Sequence, residues 1–363
     1  MKLFFFLLAF CLITARVYFS WAGESNKDKS FSDIVMRSDG FEEEIKYAGK
    51  IRLLDDETGF KSISPGGYIK FKRNEETVKA ESNLKGEIEY SIYDGKEQLD
   101  YSGSGKELVA LAIREMIAWG YDANNRMLRL YQKGGNSSLL QAFDSLKSDP
   151  VKVMYLNHVL NDSPSTEDLN AAVERIGRIG SDPDQAELLR KISVTQLNNP
   201  AVSAAYFGAL NKMSSDVDKA ATLRYLLNQA VHDSLNLAAI LQSSKKLSSG
   251  PDQADLYSQI ISKGLAKGSL YDSLLRSVSE INSDPDKSNL YQKIIQWDSL
   301  SEPEWNSLLN SMSSLNADVD KANLLIAIAR KMPKTDSLKM TYMRTAHGIR
   351  NDPDYGRAVR AIE

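Results

Sequence analysis

Aspartates two residues apart recur along the C-terminal two-thirds of this sequence, as Asp182/Asp184, Asp216/Asp218, Asp284/Asp286, Asp318/Asp320 and Asp352/Asp354. Two chemistries could use such pairs. One is binding of a hard cation such as calcium, which takes six or more oxygen ligands and usually a glycine to turn the loop. The other is acid–base hydrolysis, in which one carboxyl donates and another accepts a proton. The surroundings of the pairs point elsewhere. In a string such as Ser181-Asp182-Pro183-Asp184, an Asp can accept from free amides of a first helical turn. Pro fits the first helical position, and the second acid complements the positive end of the helix dipole. Asp149, Asp182, Asp216, Asp284, Asp318 and Asp352 are therefore read as structural helix caps, and no metal-binding role is assigned.

Other catalytic residue types are scarce or isolated. His158, His232 and His347 are the three histidines, none in a His-Glu-x-x-His setting, so zinc has no ligand set. Cys11 is the one cysteine. No Gly-x-Ser-x-Gly string surrounds any serine, which leaves nucleophilic catalysis without a constellation. The string Gly103-Ser104-Gly105-Lys106 lacks the earlier glycine of a phosphate loop and carries Glu107 where such a loop has Ser or Thr. Ser104 and Glu107 instead have the spacing of a capping box, which starts a helix over 106–119. The expectation is a chain with no catalytic residue and no cofactor.

The elements that carry the aspartates repeat. Steps between landmarks are 33 residues from Asp149 to Asp182 and 34 thereafter, with Gly250 standing where one Asp is missing. A fixed period of this length means stacked supersecondary units. Ten residues after each landmark stand Val159, Ile192, Leu226, Ile260, Ile294, Ile328 and Ile362, and seven after it Leu156, Leu189, Leu223, Tyr257, Tyr291, Leu325 and Val359. Four after it the residue is usually small, as Ala186, Ala220 and Ala322. These steps mark the buried stripe of a second helix in each unit. Three and six residues before the landmark, pairs such as Leu146 with Phe143 and Ile179 with Ile176 mark a first helix, with polar Ser244 an exception. Pro164, Pro200 and Pro303 fall between units, and the paired aromatics Tyr257 with Tyr291 and Tyr271 with Trp305 are read as packing.

Upstream the period changes to two. Ile69 and Phe71 alternate with Lys70 and Lys72, and Ile88, Tyr90 and Ile92 share one side of a second run. Pro65-Gly66-Gly67 and Asp94-Gly95 are turn sequences between such strands. In the helix that follows, Leu108, Leu111, Ala112, Glu115 and Trp119 fall on one, mostly apolar, side, which is expected to cover the sheet. The fold class is thus α+β: a small antiparallel β-meander with a covering helix, then an α-solenoid of 34-residue helical hairpins. The expected divisions are a signal peptide at 1–22, a linker at 23–40, the sheet-plus-helix domain at 41–120 and the repeats at 121–363.

The first 22 residues have Lys2 and then an uncharged apolar run from Leu3 to Ile13, the layout of a secretory signal. Ser20 and Ala22 supply the small residues for a cut after Ala22; a cut after Ala15 and an uncleaved anchor are the rival readings. Arg16 interrupts the apolar stretch well short of the roughly 20 residues that span a bilayer. Cleavage removes Cys11, leaving no thiol and hence no disulfide, and takes the formal charge from −3 to −5. A mildly acidic mature chain argues against nucleic acid or an anionic membrane surface as partner.

The segment 62–71, Ser-Ile-Ser-Pro-Gly-Gly-Tyr-Ile-Lys-Phe, followed by a sheet, a covering helix and Ser-Asp-x-Asp repeats, resembles an extracytoplasmic region associated with bacterial membrane metallopeptidases of the beta-lactam-sensor type. This chain lacks their multi-span membrane part and zinc motif, so no peptidase activity carries over. The repeats also resemble tetratricopeptide repeats in period and partly in junction, as in Ala317-Asp318-Val319-Asp320-Lys321-Ala322, without the usual Trp, Gly and Tyr positions of the first helix. They are tetratricopeptide-like or HEAT-like, and both resemblances imply binding. The expected function is non-catalytic binding or scaffolding, through a helical groove, of an unidentified protein or peptide of the cell envelope. The periplasm and the external medium are both open as its compartment, with no membrane span after cleavage. The alternative is an envelope hydrolase or polysaccharide-binding factor with an acidic site. N-terminal sequencing of the native protein should begin at Gly23; an intact Met1 on a soluble cytoplasmic protein would rule out export.

Overall fold

The computed structural model describes residues 31–38, 41–229 and 234–363. The signal segment 1–22, the linker as far as residue 30, and His232 lie outside the described residues. Among the described residues no helix is long and apolar enough to cross a membrane. The chain divides into two compact units, residues 1–126 with 145–148, and residues 127–144 with 149–363.

The first unit is built on an antiparallel sheet of six strands. They are β1 (Phe31–Ser38), β2 (Phe41–Ala48), β5 (Tyr68–Arg73), β6 (Glu76–Ser82), β7 (Ile88–Asp94) and β8 (Glu97–Leu99), adjacent in that order. Between β2 and β5 the chain makes a separate ribbon of β3 (Ile51–Leu53) and β4 (Phe60–Ile63). The expected alternation is present, since Ile69 and Phe71 are fully buried while Lys70 and Lys72 are only partly so. The register pairs Ile45 with Phe71, Phe71 with Val78 and Val78 with Ile92 across four strands, which lines one face of the sheet with apolar side chains.

Two sequence expectations change here. β1 lies inside the stretch 23–40 read as linker; it pairs along its whole length with β2, from Phe31 opposite Ala48 to Ser38 opposite Phe41. Its pattern is weak on its own, and the neighbouring strand supplies the hydrogen bonds that make it a strand. The covering helix α1 (Gly103–Ala118) starts three residues before the expected position, behind Ser102, and Ser102 makes no side-chain cap. The residues it adds to the core under the sheet are Val109, Ala112, Ile113, Met116 and Ile117, so the face against the sheet is rotated by about one position from the expected stripe. The capping-box reading of Ser104 and Glu107 fails because that turn is already helical. Gly105 has a packing reason to be glycine: a Cβ there would stand 2.0 Å from the Asp100 carbonyl oxygen.

The second unit is a succession of helical hairpins. α2 (Ala123–Phe143), broken at Gly134 and Gly135, leads into α3 (Asp149–Asn161). Then follow α4 (Thr166–Ile176) with α5 (Asp182–Leu189), α6 (Pro200–Leu210) with α7 (Asp216–Asn228), and α8 (Ser234–Ser244) with α9 (Gly250–Ser262). The last three are α10 (Ser269–Ser279) with α11 (Asp284–Ile295), α12 (Glu302–Ser311) with α13 (Asp318–Lys331), and α14 (Asp336–Ala346) with α15 (Asp352–Ile362). Every second helix begins at a landmark residue. From α4 on, first helices pack on first helices and second on second, forming an A layer and a B layer.

The positions ten after the landmark are all buried, from Val159 to Ile362, as are those three before it, from Leu146 to Ile349. Ser244 is also fully buried; its hydroxyl donates to the Ile240 carbonyl at 2.8 Å, within its own helix, so the apolar layer carries no unmet donor there. Tyr257, Tyr291, Tyr271 and Trp305 are buried in the stack. Gly105→Ala should lower the stability of the first unit by about 1–3 kcal/mol through overpacking; thermal unfolding of the variant, followed by near-ultraviolet circular dichroism, measures it.

Candidate functional site

The landmark aspartates are where two physical demands meet. The first amides of a helix have no partner in the helix itself, and a buried amide must find an acceptor. In five of the seven B helices the residue before the landmark meets part of this need. Ser181, Ser215, Ser249 and Ser283 are the N-caps, their hydroxyls accepting from the amides of Asp184, Asp218, Asp252 and Asp286 at 3.2–3.4 Å, and Asn351 does the same for Asp354. The landmark Asp is therefore the first helical residue and not the cap of its own helix.

Its carboxylate reaches the next hairpin instead. Asp182 Oδ2 accepts from the amides of Ser214 and Ser215 at 2.8 and 2.7 Å. Asp216 Oδ2 accepts from Ser248 and Ser249 at 2.7 and 3.0 Å, Asp284 Oδ2 from Asn316 and Ala317 at 2.8 and 2.9 Å, and Asp318 Oδ2 from Arg350 and Asn351 at 3.1 and 2.9 Å. Asp149, one residue nearer to its successor, takes a single amide of the next turn, that of Gly180 at 2.8 Å. Each carboxylate thus sits at the positive start of the following B helix, where a negative charge is favoured. Asp352 is exposed and accepts no such bond among the described residues. The correction to the capping reading is one of direction: the aspartates serve helix starts, but those of the neighbouring hairpin.

At three of the joints a lysine three residues on pairs with the aspartate, while Gln185 holds that position after Asp182. Lys152, Lys219 and Lys287 pair with Asp149, Asp216 and Asp284 at 3.0, 3.4 and 3.0 Å. Lys287 is only 4% exposed and also donates to the Ser314 carbonyl at 2.7 Å, while the buried Lys321 donates to the Gly348 carbonyl at 3.4 Å. Burial alone would raise the Asp284 pKa, but the hydrogen bond from Lys287 and those from the Asn316 and Ala317 amides outweigh it and hold the carboxyl below its ordinary value of 3.8. Oxygens facing N–H donors and an ammonium are poorly placed to ligate calcium, which takes oxygen donors. Among the described residues no group of three or more His, Cys, Asp or Glu could hold a metal ion.

The first unit holds an acid pair that sequence reading missed. Glu43, 1% exposed on β2, accepts from Arg73 Nε and Nη2 at 3.0 and 2.7 Å and from Trp119 Nε1 at 3.3 Å. Arg73 Nη2 also donates to Glu115 at 2.5 Å, and Lys147 pairs with Glu115. Burial lowers the Arg73 pKa, yet its hydrogen bonds to Glu43 and Glu115 raise it further, so the cation is held charged. Two acids closed by two cations tie α1 to the sheet. The usable signal was Glu115 alone on an otherwise apolar helix side.

The two described histidines stay apart. His158 lies edge-on to Tyr131 with ring centres 4.6 Å apart, and Tyr131 donates to Asp162 at 2.5 Å; His347 stacks on Tyr355 in the last hairpin. Tyr257, whose pKa burial pushes up to about 12, is a packed phenol and not a neutral-pH acid.

One line of positions has no such structural duty. Eight residues before each landmark stand Gln141, Glu174, Gly208, Gln242, Arg276, Asn310 and Arg344, one on each A helix and all exposed. Midway along, Gln242 and Arg276 flank a shallow polar notch between α8 and α10, lined also by Lys245, Ser273 and Ser277; Lys245 pairs with Glu280 at 2.9 Å.

Fold and surface together define a sheet-and-helix domain joined to an α-solenoid. Compared with protein families, curated proteins and solved structures, the chain matches none.

Asp284→Ala should destabilise the array by about 1.5–3 kcal/mol, the range for hydrogen bonds to a charged group, while Asp352→Ala should stay within about 0.5 kcal/mol. Chemical denaturation compares them, and calcium should leave every midpoint unchanged. Equal losses at the two sites would restore the own-helix capping account. Because the folded-state pKa of Asp284 is depressed, its contribution is complete above the ordinary value of 3.8 and is lost as pH falls through the lowered value. The gap in melting temperature between wild type and Asp284→Ala should therefore be widest near neutral pH and close in that acid range.

Proposed function

We propose that this chain is a non-catalytic binding or scaffolding protein, exported across the cytoplasmic membrane, whose A layer holds a protein or peptide of the cell envelope. One observation carries this reading: the position eight before each landmark is exposed in all seven hairpins, yet its chemistry changes from Gln to Glu, Gly, Gln, Arg, Asn and Arg. A repeat protein keeps fixed what stacking needs and can vary what a partner reads. These exposed side chains take no part in the joints, so substitutions along this line should leave the fold intact. The apolar run at Leu3 to Ile13 and the resemblance to extracytoplasmic sheet-plus-repeat regions support the compartment. In four of the five acid pairs of the array the first aspartate is engaged in a joint, and the Glu43–Glu115 pair is closed by Arg73 and Lys147, which weighs against hydrolysis.

Affinity capture with the mature chain from extracts of its own cell envelope tests this. A specific protein should be recovered, and alanine at Gln242, Arg276 and Asn310 together should weaken its binding about tenfold or more if a hot spot lies there. Turnover of a peptidoglycan or peptide substrate by the purified protein, abolished by substituting one acid pair, would replace this reading with the hydrolase.

A further inference from the structure

The joint made by the landmark carboxylate is missing once. At Asp149, Asp182, Asp216, Asp284 and Asp318 an Oδ2 bridges to the next turn, but the corresponding residue at the start of α9 is Gly250. The amides that a carboxylate there would take, by the register of 32 and 33 residues seen at the other joints, belong to Asn282 and Ser283. Among the described residues neither amide donates to any acceptor. The position that carries lysine at four of the joints is Gln253, which turns back to the Leu247 carbonyl of its own hairpin at 2.7 Å as Gln185 turns back to Ile179 beside Asp182, so it is the carboxylate that sets this junction apart.

Nothing local requires glycine at this point. Gly250 has no positive φ, and a Cβ built on it meets nothing within 4 Å. The start of a side chain has room, so neither the backbone nor its surroundings explain the glycine. At the opposite end the same two B helices are tied, since Trp297 Nε1 donates to the Ile261 carbonyl at 3.0 Å and Lys293 to the Ser258 hydroxyl. Among the described residues the one A-layer ion pair across this junction is Lys245–Glu280, with the glutamate 54% exposed, the kind of contact that contributes little. The notch between α8 and α10 lies at this same junction.

We propose that the junction between the α8–α9 and α10–α11 hairpins is the hinge of the array: α9 and α11 stay pinned at their C-terminal ends and part at their N-terminal ends, which changes the spacing of the A helices on either side. This goes beyond the proposed binding role and does not depend on it. The hinge is a property of the free chain.

Amide hydrogen exchange, read residue by residue on the whole protein, tests it. Asn282 and Ser283 should exchange faster than Ser248, Ser249, Asn316 and Ala317. Gly250→Asp should slow Asn282 and Ser283 by about tenfold or more, as expected for bonds to a charged acceptor, whereas Gly250→Ala, which changes helix propensity without supplying an acceptor, should not. Spin labels placed in a chain carrying Cys11→Ser give a second readout. The distance distribution for Asp255→Cys with Asn289→Cys should be broader than for Asn289→Cys with Asn323→Cys, the same register across a joined pair, and should narrow in Gly250→Asp. Equal exchange at the three turns in the wild type, indistinguishable Asp and Ala variants, or equal widths for the two label pairs would each overturn the hinge.

Discussion

A carboxylate that crosses from one hairpin to the next is the constraint on which the array rests. A helix start leaves amides without partners, and in a stack of short helices these starts recur at every turn. A serine hydroxyl can serve one amide three residues ahead. The two amides at and before the cap need an acceptor from outside, and the preceding hairpin provides it through an aspartate 32 and 33 residues earlier. That reach explains why the period is so constant. Where the step shortens to 33 residues, between Asp149 and Asp182, a single bond to Gly180 survives in place of two.

Hydrophobic stacking and the polar joint hold different parts of the same interface. The buried stripe, with residues such as Leu189, Leu223 and Ile294, supplies non-directional cohesion between layers. It does not by itself fix how far one hairpin slides or rotates on the next. The carboxylate does, because a hydrogen bond to two successive amides tolerates little displacement. Lys287, nearly inaccessible and bound both to Asp284 and to a carbonyl of the next turn, adds a second directional tie at the same point. With register secured in the B layer and the turns, exposed A-layer positions such as Arg276 and Asn310 are released from structural work.

Much of this was legible in the sequence because it is periodic. The starts of all seven B helices, the buried positions three before and ten after each landmark, and the sheet ahead of the array follow from periods of 34, 3.6 and two. The direction of each aspartate was not legible, since a cap in its own helix and an acceptor for a neighbouring one use the same residue at the same place. The lysine at the third position looked like an ordinary charged residue on a helix start. β1 was hidden because its pairing partner, not its own pattern, makes it a strand. Glu43 sits in a run of three glutamates, where only the sheet register decides which one faces inward, and its match with Arg73 follows from β2 pairing with β5. The position eight before the landmark is informative for the opposite reason: it repeats in exposure and not in type.

Each joint has one specific half and one generic half. The acceptor must be an aspartate of the right length, but the donors are main-chain amides that any residue except proline provides. The turns that receive the carboxylate accordingly read Ser-Ser, Ser-Ser, Asn-Ala and Arg-Asn, with the geometry of the bond nearly unchanged. A chain assembled this way carries its connector on one side of the module, the one that begins at Gly250 excepted, and a universal socket on the other. Duplicating, removing or exchanging whole 34-residue blocks therefore preserves the polar joint without any matched pair of side chains having to arise for it at the same time.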